Sequence, residues 1–296
     1  MSYPVILFYK FTKIADPEAL RDQQRELCTE LGLKGRILLA HEGINATLAG
    51  PVDAIQAYID NLTSLPDFHD VEFKFSEGGP DTFPRLMVKT RPEIVTLKAG
   101  DLGPDLHNHL SPAEWKEALD SLDPNTVVLD VRNNYESEVG RFETAIPCDI
   151  EYFRDLPEYL PKLEHLKSKR ILMYCTGGIR CEKASALFRK HGFNDVFQLH
   201  GGIAAYQEQF GNDHWLGECF VFDKRMTTAV PDNLVHITRC AYTDVTTGRF
   251  VNCKNPECHK LFILSTTAEE EDPNRAFCPE CYALFSENIP ACSATE

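Results

Sequence analysis

Hydrophobic and polar positions in the first hundred residues alternate between strand-like runs and helical spacing. The apolar run beginning at Val5 predicts a buried strand over 5–9. Asp16 then offers an N-cap and Pro17 fits the first helical position. Leu20, Leu27, Cys28 and Leu31 recur at helical spacing before Gly32 supplies a stop. Strands follow over 36–40 and 44–49, around the turn His41-Glu42-Gly43. A second helix starts from Pro51, with Val52, Ile55, Ile59 and Leu62 on one face, and further strands are expected over 71–75 and 86–88. The order β-α-β-β-α-β predicts a ferredoxin-like α+β domain over 1–100, with two helices on one face of an antiparallel sheet.

A linker around 100–109 leads to Ser111-Pro112-Ala113-Glu114, a capping-box helix start. The β-branched, apolar stretch over 126–131 reads as a buried parallel strand, as do 170–174 and 196–199. Helical stretches lie between them, one running from Cys181 to His191 and ending at Gly192. Strands alternating with helices imply a parallel α/β domain over 105–212. The remainder, 213–296, is loop-rich and holds seven of the eleven cysteines. The chain is therefore expected to be a mixed α/β protein in three parts.

A length of 296 residues fits two or three domains, and 43% hydrophobic with 25% charged residues excludes a wholly disordered chain. No apolar run approaches the ~18 residues of a membrane span, and the N-terminus lacks a basic region before its apolar run, so a cytoplasmic protein without a membrane partner is expected. In that compartment eleven cysteines argue for catalytic, metal-binding or buried thiols, not a disulfide framework, and an odd count cannot pair completely. The net charge of −15 excludes a protein that holds nucleic acid by overall charge alone. Residues 1–100 carry 11 basic against 14 acidic side chains, 101–212 carry 12 against 18, and 213–296 carry 7 against 13. The first segment is therefore the first candidate for a polyanion surface.

The sharpest chemical feature is Cys175-Thr176-Gly177-Gly178-Ile179-Arg180-Cys181, at the C-terminal end of an expected parallel strand and opening into a helix. Reactive groups of open α/β sheets gather at that edge. Loop amides and the positive end of the helix favour thiolate over thiol there, and Arg180 can hold a negatively charged group. Cysteine phosphatases use Cys-x5-Arg, which encloses a phosphate; Cys175-x4-Arg180 is one residue shorter and suits a single added sulfur atom. The alternative is a buried structural cysteine beside a tight turn.

The segment resembles the active-site loop of rhodanese domains, which carry sulfur as a cysteine persulfide. Leu129-Asp130-Val131-Arg132 with Glu136, Gly140 before Ala145-Ile146, and Leu199-His200-Gly201-Gly202 stand where that family has supporting residues. Gly140 is followed by Arg141-Phe142, where many rhodanese domains have His-Ile. Asp130, Arg132 and Glu136 read as a buried scaffold network. More specifically, Cys175 through Lys183, the run Glu42-Gly43-Ile44-Asn45-Ala46-Thr47-Leu48-Ala49-Gly50 and Phe220-Val221-Phe222-Asp223 resemble the rhodanese-domain tRNA uridine hydroxylases. The resemblance spans nearly the whole chain. It implies oxygen-dependent 5-hydroxylation of the wobble uridine at tRNA position 34, with molecular oxygen as co-substrate, Cys175 as catalytic persulfide and the anticodon loop and a sulfur donor as partners. The chain carries no flavin, nicotinamide or haem motif, and no His-x-Asp/Glu pair of the kind common in iron oxygenases. Cys181 reads either as a second thiol that resolves an oxidised Cys175 or as a packing residue. Two rival functions are a rhodanese-type sulfurtransferase passing persulfide sulfur to a small acceptor or partner protein, and a non-enzymatic adaptor.

Cys253, Cys258, Cys278 and Cys281 form a Cys-x4-Cys and a Cys-x2-Cys separated by nineteen residues, spacings that suit a structural zinc site. His259 or Cys240 are alternative ligands, and unligated thiols the remaining alternative. Cys28, Cys148, Cys219, Cys240 and Cys292 receive no role. His41, Glu42 and Asn45 crowd the first hairpin as an RNA-facing polar cluster or an ordinary polar turn. Tyr3, Phe8, Tyr9 and Phe11 read as strand core, with base stacking the alternative.

Overall fold

The computed structural model describes residues 3–100, 102–230 and 232–286; Cys292 lies outside them. The N-terminal part runs β1 (Val5–Phe11), α1 (Pro17–Glu30), β2 (Lys34–Ala40), β3 (Gly43–Ala49), α2 (Val52–Thr63), β4 (Lys74–Ser76) and β5 (Leu86–Thr90). Asp16 caps α1 by accepting from the Ala19 amide at 2.9 Å. The sheet order is β4-β1-β3-β2-β5, with β5 added parallel to β2 on an otherwise antiparallel sheet. The strand expected over 71–75 forms three residues later: the Val71 amide turns back to the Phe68 carbonyl, and only Lys74, Phe75 and Ser76 pair with β1.

Side chains alternate between the faces of a strand. Ile6, Phe8, Ile37, Leu39, Ala46 and Leu48 therefore pack under the helices with Cys28, Ile55, Tyr58 and Leu62. Phe8 belongs to this core, as expected. Leu7, Tyr9 and Phe11 are set on the other face, which no helix of this domain covers. The central domain supplies that cover.

The central part continues with β6 (His109–Leu110), α3 (Pro112–Asp120), β7 (Thr126–Asp130), α4 (Asn134–Val139), β8 (Gly140–Phe142), β9 (Ile146–Pro147), α5 (Leu156–Tyr159), β10 (Arg170–Tyr174), α6 (Ile179–Lys190), β11 (Val196–Leu199) and α7 (Gly202–Phe210). Five parallel strands in the order β6-β11-β10-β7-β9 form its sheet. Two of them, β6 within the expected linker and β9, are too short to announce themselves by apolar pattern. Each sheet face has its own core. Ile171, Met173 and Cys175 face Ala184, Leu187 and Phe188 of α6, while Leu172 and Tyr174 face Trp115, Phe142, Tyr206 and Trp215. Ser111 and Glu114 form the expected capping box.

The C-terminal part holds β12 (Trp215–Gly217), β13 (Cys219–Phe220), β14 (Thr227–Thr228), β15 (Phe250–Asn252), β16 (Leu261–Ile263), α8 (Thr266–Glu271) and α9 (Pro279–Ser286). It begins against the central domain, β12 pairing with β8. It also reaches the N-terminal domain, where Lys224 donates its amide to the Thr82 carbonyl at 3.0 Å. Among the described residues no helix is long and apolar enough to cross a membrane.

Candidate active site

Strand β10 delivers Cys175 to its C-terminal edge, and α6 starts at Ile179, two residues before the helix expected from Cys181. Gly178 makes that early start possible. Its φ of 102° lies where side-chained residues are strained, and a Cβ there would stand 2.8 Å from the Tyr9 hydroxyl. Because the first four amides of a helix have no i−4 partner inside it, those of Arg180 and Cys181 are turned toward the sulfur, the Cys181 amide also donating to the Gly178 carbonyl at 2.9 Å. The Gly178 amide donates to Cys175 Sγ at 3.1 Å. From the other side, the amides of Ile203 and Ala204 in α7 donate to the carbonyls of Cys175 and Thr176, both at 3.0 Å. Gly202 permits this approach, since a Cβ there would lie 2.5 Å from the Cys175 carbonyl oxygen.

Cys175 is fully buried, and burial is the largest influence on its pKa, pushing it up. The Cys181 thiol, the Arg180 charge and the Cys181 and Arg180 amides together outweigh burial and bring the thiol down to about 6. Cys181 moves the opposite way, held up by burial and by the neighbouring Cys175. One thiol is therefore ionised at neutral pH beside one that is not. The thiolate absorbance near 240 nm that disappears in Cys175→Ser is expected to titrate with a midpoint of about 6; a midpoint near that of a free cysteine contradicts this geometry. Between about 6 and 9 the unfolded chain binds more protons at this position, so its contribution to stability grows with pH and is lost as pH falls through about 6.

Arg180 is less free than the sequence suggests. Its guanidinium is held by both oxygens of Glu136, at 2.5 and 2.8 Å, and donates to Thr176 Oγ1 at 3.1 Å. An anion in the loop meets an already paired arginine. Glu136 thus belongs to the loop, whereas Asp130 and Arg132 are scaffold, fully buried and paired at 2.6 Å, with the Tyr174 hydroxyl donating to Asp130 at 2.7 Å.

The N-terminal sheet covers this loop. Leu7 lies over Gly177, where a Cβ would meet its Cδ2 at 2.5 Å, and Tyr9 lies over Gly178. The Tyr9 hydroxyl donates to Glu182 at 2.9 Å, and Glu182 also takes His109 at 3.1 Å and Gln198 at 3.2 Å. Tyr9 is thus a seam residue, neither core nor base platform. Lys74, in the same sheet row as Leu7, places its ammonium 5.2 Å from the centre of the Tyr9 ring. Burial lowers the pKa of Lys74 against the attraction of Glu72, Cys175 and Glu182. Sequence reasoning missed Leu7, Tyr9, Lys74 and Glu182. The unbroken apolar run of β1 put Tyr9 in a strand core and did not say which of its side chains would leave the helix-covered face.

Glu42 and Asn45 do not present a free polar surface. Glu42 accepts from the Ile94 amide at 2.8 Å and Asn45 donates to the Ile94 carbonyl at 2.9 Å. Lys183, almost wholly buried, pairs with Glu42 at 2.9 Å and with Glu93 at 2.7 Å, so this cluster clamps the two domains. The carboxylates stay about a quarter exposed, so solvent screens part of the loss when their partner is removed. Lys183→Met is expected to cost about 2 kcal/mol, less than the 3–5 of a fully buried pair. A denaturant midpoint matching that of the wild type would contradict the clamp.

In the C-terminal part the sulfurs of Cys253, Cys258, Cys278 and Cys281 all lie within 4.8 Å of one another. Cys258 and Cys278 are 3.8 Å apart, about the edge of a tetrahedron of sulfurs ~2.3 Å from a central zinc. The Cys278 amide and the Asn255 side chain donate to the sulfurs of Cys253 and Cys281, both at 3.2 Å, outer contacts typical of metal thiolates. The expected alternatives His259 and Cys240 are not members of this cluster. The four-thiol set fits a metal ion.

A parallel-sheet cysteine loop, closed by an arginine and roofed by a second domain, defines a rhodanese-type protein with a dedicated N-terminal cover. Comparison with known families agrees. Residues 111–209 match the rhodanese-like domain, 3–94 the UPF0176 acylphosphatase like domain and 216–282 the rhodanase C-terminal family. The chain is 44% identical over 261 residues to the tRNA uridine(34) hydroxylase of Cytophaga hutchinsonii, covering 87% of this chain and 83% of that protein. It is 42% identical over 287 residues to the same-named protein of Shouchella clausii, covering 94% and 88%, and 40% identical over 289 residues to that of an Arthrobacter species, covering 93% and 97%. The chain belongs to the tRNA uridine(34) hydroxylase family.

Proposed function

We propose that the protein hydroxylates C5 of uridine at tRNA position 34 with molecular oxygen, and that Cys175 is the reacting group. The observation that carries this reading is the match across all three parts of the chain to relatives named for that reaction. A thiolate held by loop amides supports it chemically, since the same cradle holds a persulfide anion once a sulfur donor has loaded Cys175. The anticodon loop is already single-stranded, so presenting its base costs little.

The reaction needs two electrons: C5–H, oxygen, two electrons and two protons give C5–OH and water. The Cys175 thiolate and the Cys181 thiol can supply both electrons and one proton by closing to a disulfide, the second proton coming from water and an external thiol reducing the disulfide before the next turnover. In that case Cys181→Ser stops turnover; unchanged turnover leaves Cys181 a packing residue. Zinc is assigned to Cys253, Cys258, Cys278 and Cys281, where it would hold the loop-rich segment together, and the cytoplasm is assigned as the compartment.

The test is mass spectrometry of tRNA nucleosides from a deletion strain, with and without the gene restored, in a background lacking any redundant route. Loss of 5-hydroxyuridine derivatives that the wild-type gene restores is expected. Unchanged derivatives, together with catalytic thiosulfate-to-cyanide sulfur transfer by the purified protein, would instead identify a plain sulfurtransferase.

A further inference from the structure

Phe222 is a large apolar side chain left 52% exposed, and it stands beside the cysteine loop. Its ring centre is 5.9 Å from the guanidinium of Arg180, the residue that also holds Glu136 and Thr176. Its inner edge rests on Phe220, with ring centres 5.2 Å apart, and Phe220 rests on Tyr135 at 5.0 Å.

The turn that carries Phe222 is unusually well built for a surface loop. The Val221 amide donates to the Met226 carbonyl at 2.9 Å, and the Met226 amide returns to the Asp223 carbonyl at 3.0 Å. Asp223, buried, takes two hydrogen bonds from the Arg225 guanidinium, at 2.8 and 2.5 Å. Arg225 also donates to the Glu77 carbonyl at 2.5 Å and to Ser76 at 3.1 Å. The turn is thereby fixed to both the central and N-terminal domains. An apolar ring offered to water costs free energy unless something covers it, and a pinned turn cannot fold it away.

Resting on the proposed function, we infer that Phe222 is a nucleobase platform: the ring on which the target uracil stacks as it is presented to the cysteine loop. A half-exposed ring beside the loop, backed by a guanidinium already paired with Glu136, suits a flat base that stacks on it. No covalent step is assigned to it. Phe222 is a positioning residue.

The test is a cycle in binding affinity with the full-length protein. Anticodon stem-loops carrying either uridine or an abasic site at position 34 are titrated against wild type, Phe222→Leu and Phe222→Tyr. Wild type is expected to prefer the uridine form, Phe222→Leu to lose about tenfold in affinity for it while leaving the abasic form unchanged, and Phe222→Tyr to retain the preference. A merely structural role would weaken both ligands alike, and that outcome, or no change in either, overturns the platform. Failure of wild type to bind either stem-loop overturns the tRNA reading itself, and the platform with it.

Discussion

Replacing Cys175 by serine is expected to lower tRNA hydroxylation by at least about 10³-fold while the protein keeps its near-ultraviolet and far-ultraviolet spectra. Loss of an activated sulfur nucleophile removes a step no neighbouring group can take over. Serine occupies nearly the same volume, so the fully buried site does not collapse. The same variant should lose the absorbance that titrates near 6, because the Cys181 that remains is held protonated chiefly by burial. Hydroxylation by Cys175→Ser at more than about a tenth of the wild-type rate would rule out the sulfur as the reacting group.

Removing metal from the C-terminal cysteines should have the second largest effect. Structural zinc in small domains contributes about 10–16 kcal/mol of apparent folding free energy near neutral pH. The core around these cysteines is small, made of Cys240, Cys253, Phe262, Leu264, Ala268 and Cys278, so little apolar burial remains to hold it without the ion. Elemental analysis of protein purified without chelator is expected to find one zinc per chain. Cys281→Ser, or a strong chelator, is expected to release it and make residues 232–286 sensitive to protease. The central sheet, with its two apolar cores, should survive intact. Absence of stoichiometric zinc would end the assignment.

Local chemistry was legible in the residues themselves. Asp16-Pro17 and Ser111-Pro112-Ala113-Glu114 start helices because capping depends on atoms three residues apart, and the structure caps both as expected. The cysteine loop was equally local: one strand end, two glycines and a helix start assemble around a single sulfur. Spacing also brought the four C-terminal cysteines forward as a set, although two pairs nineteen residues apart left His259 and Cys240 as rivals. The fold brings those four sulfurs within 4.8 Å of one another, and neither His259 nor Cys240 is among them.

The reading of Arg180 and of Glu42 needed the fold. An arginine in a loop reads as a free cation until its partner is known, and that partner, Glu136, is forty-four residues away in sequence. Glu42 and Asn45 looked solvent-facing because turns are ordinarily polar, yet Lys183 and Ile94 bring them into the seam between domains.

Strand β1 is the clearest division between the two sources of information. The sequence by itself determined that its apolar run would form a buried strand and that Phe8 would join a core. It also determined that a cysteine would sit at a sheet edge with amides around it. Only the tertiary structure decided that the opposite face, Leu7 and Tyr9, would close over that cysteine. Such a contact depends on how two separately specified domains dock, and docking is set by shape and by pairs such as Lys183 with Glu42 and Tyr9 with Glu182, whose members lie more than a hundred residues apart and follow no period.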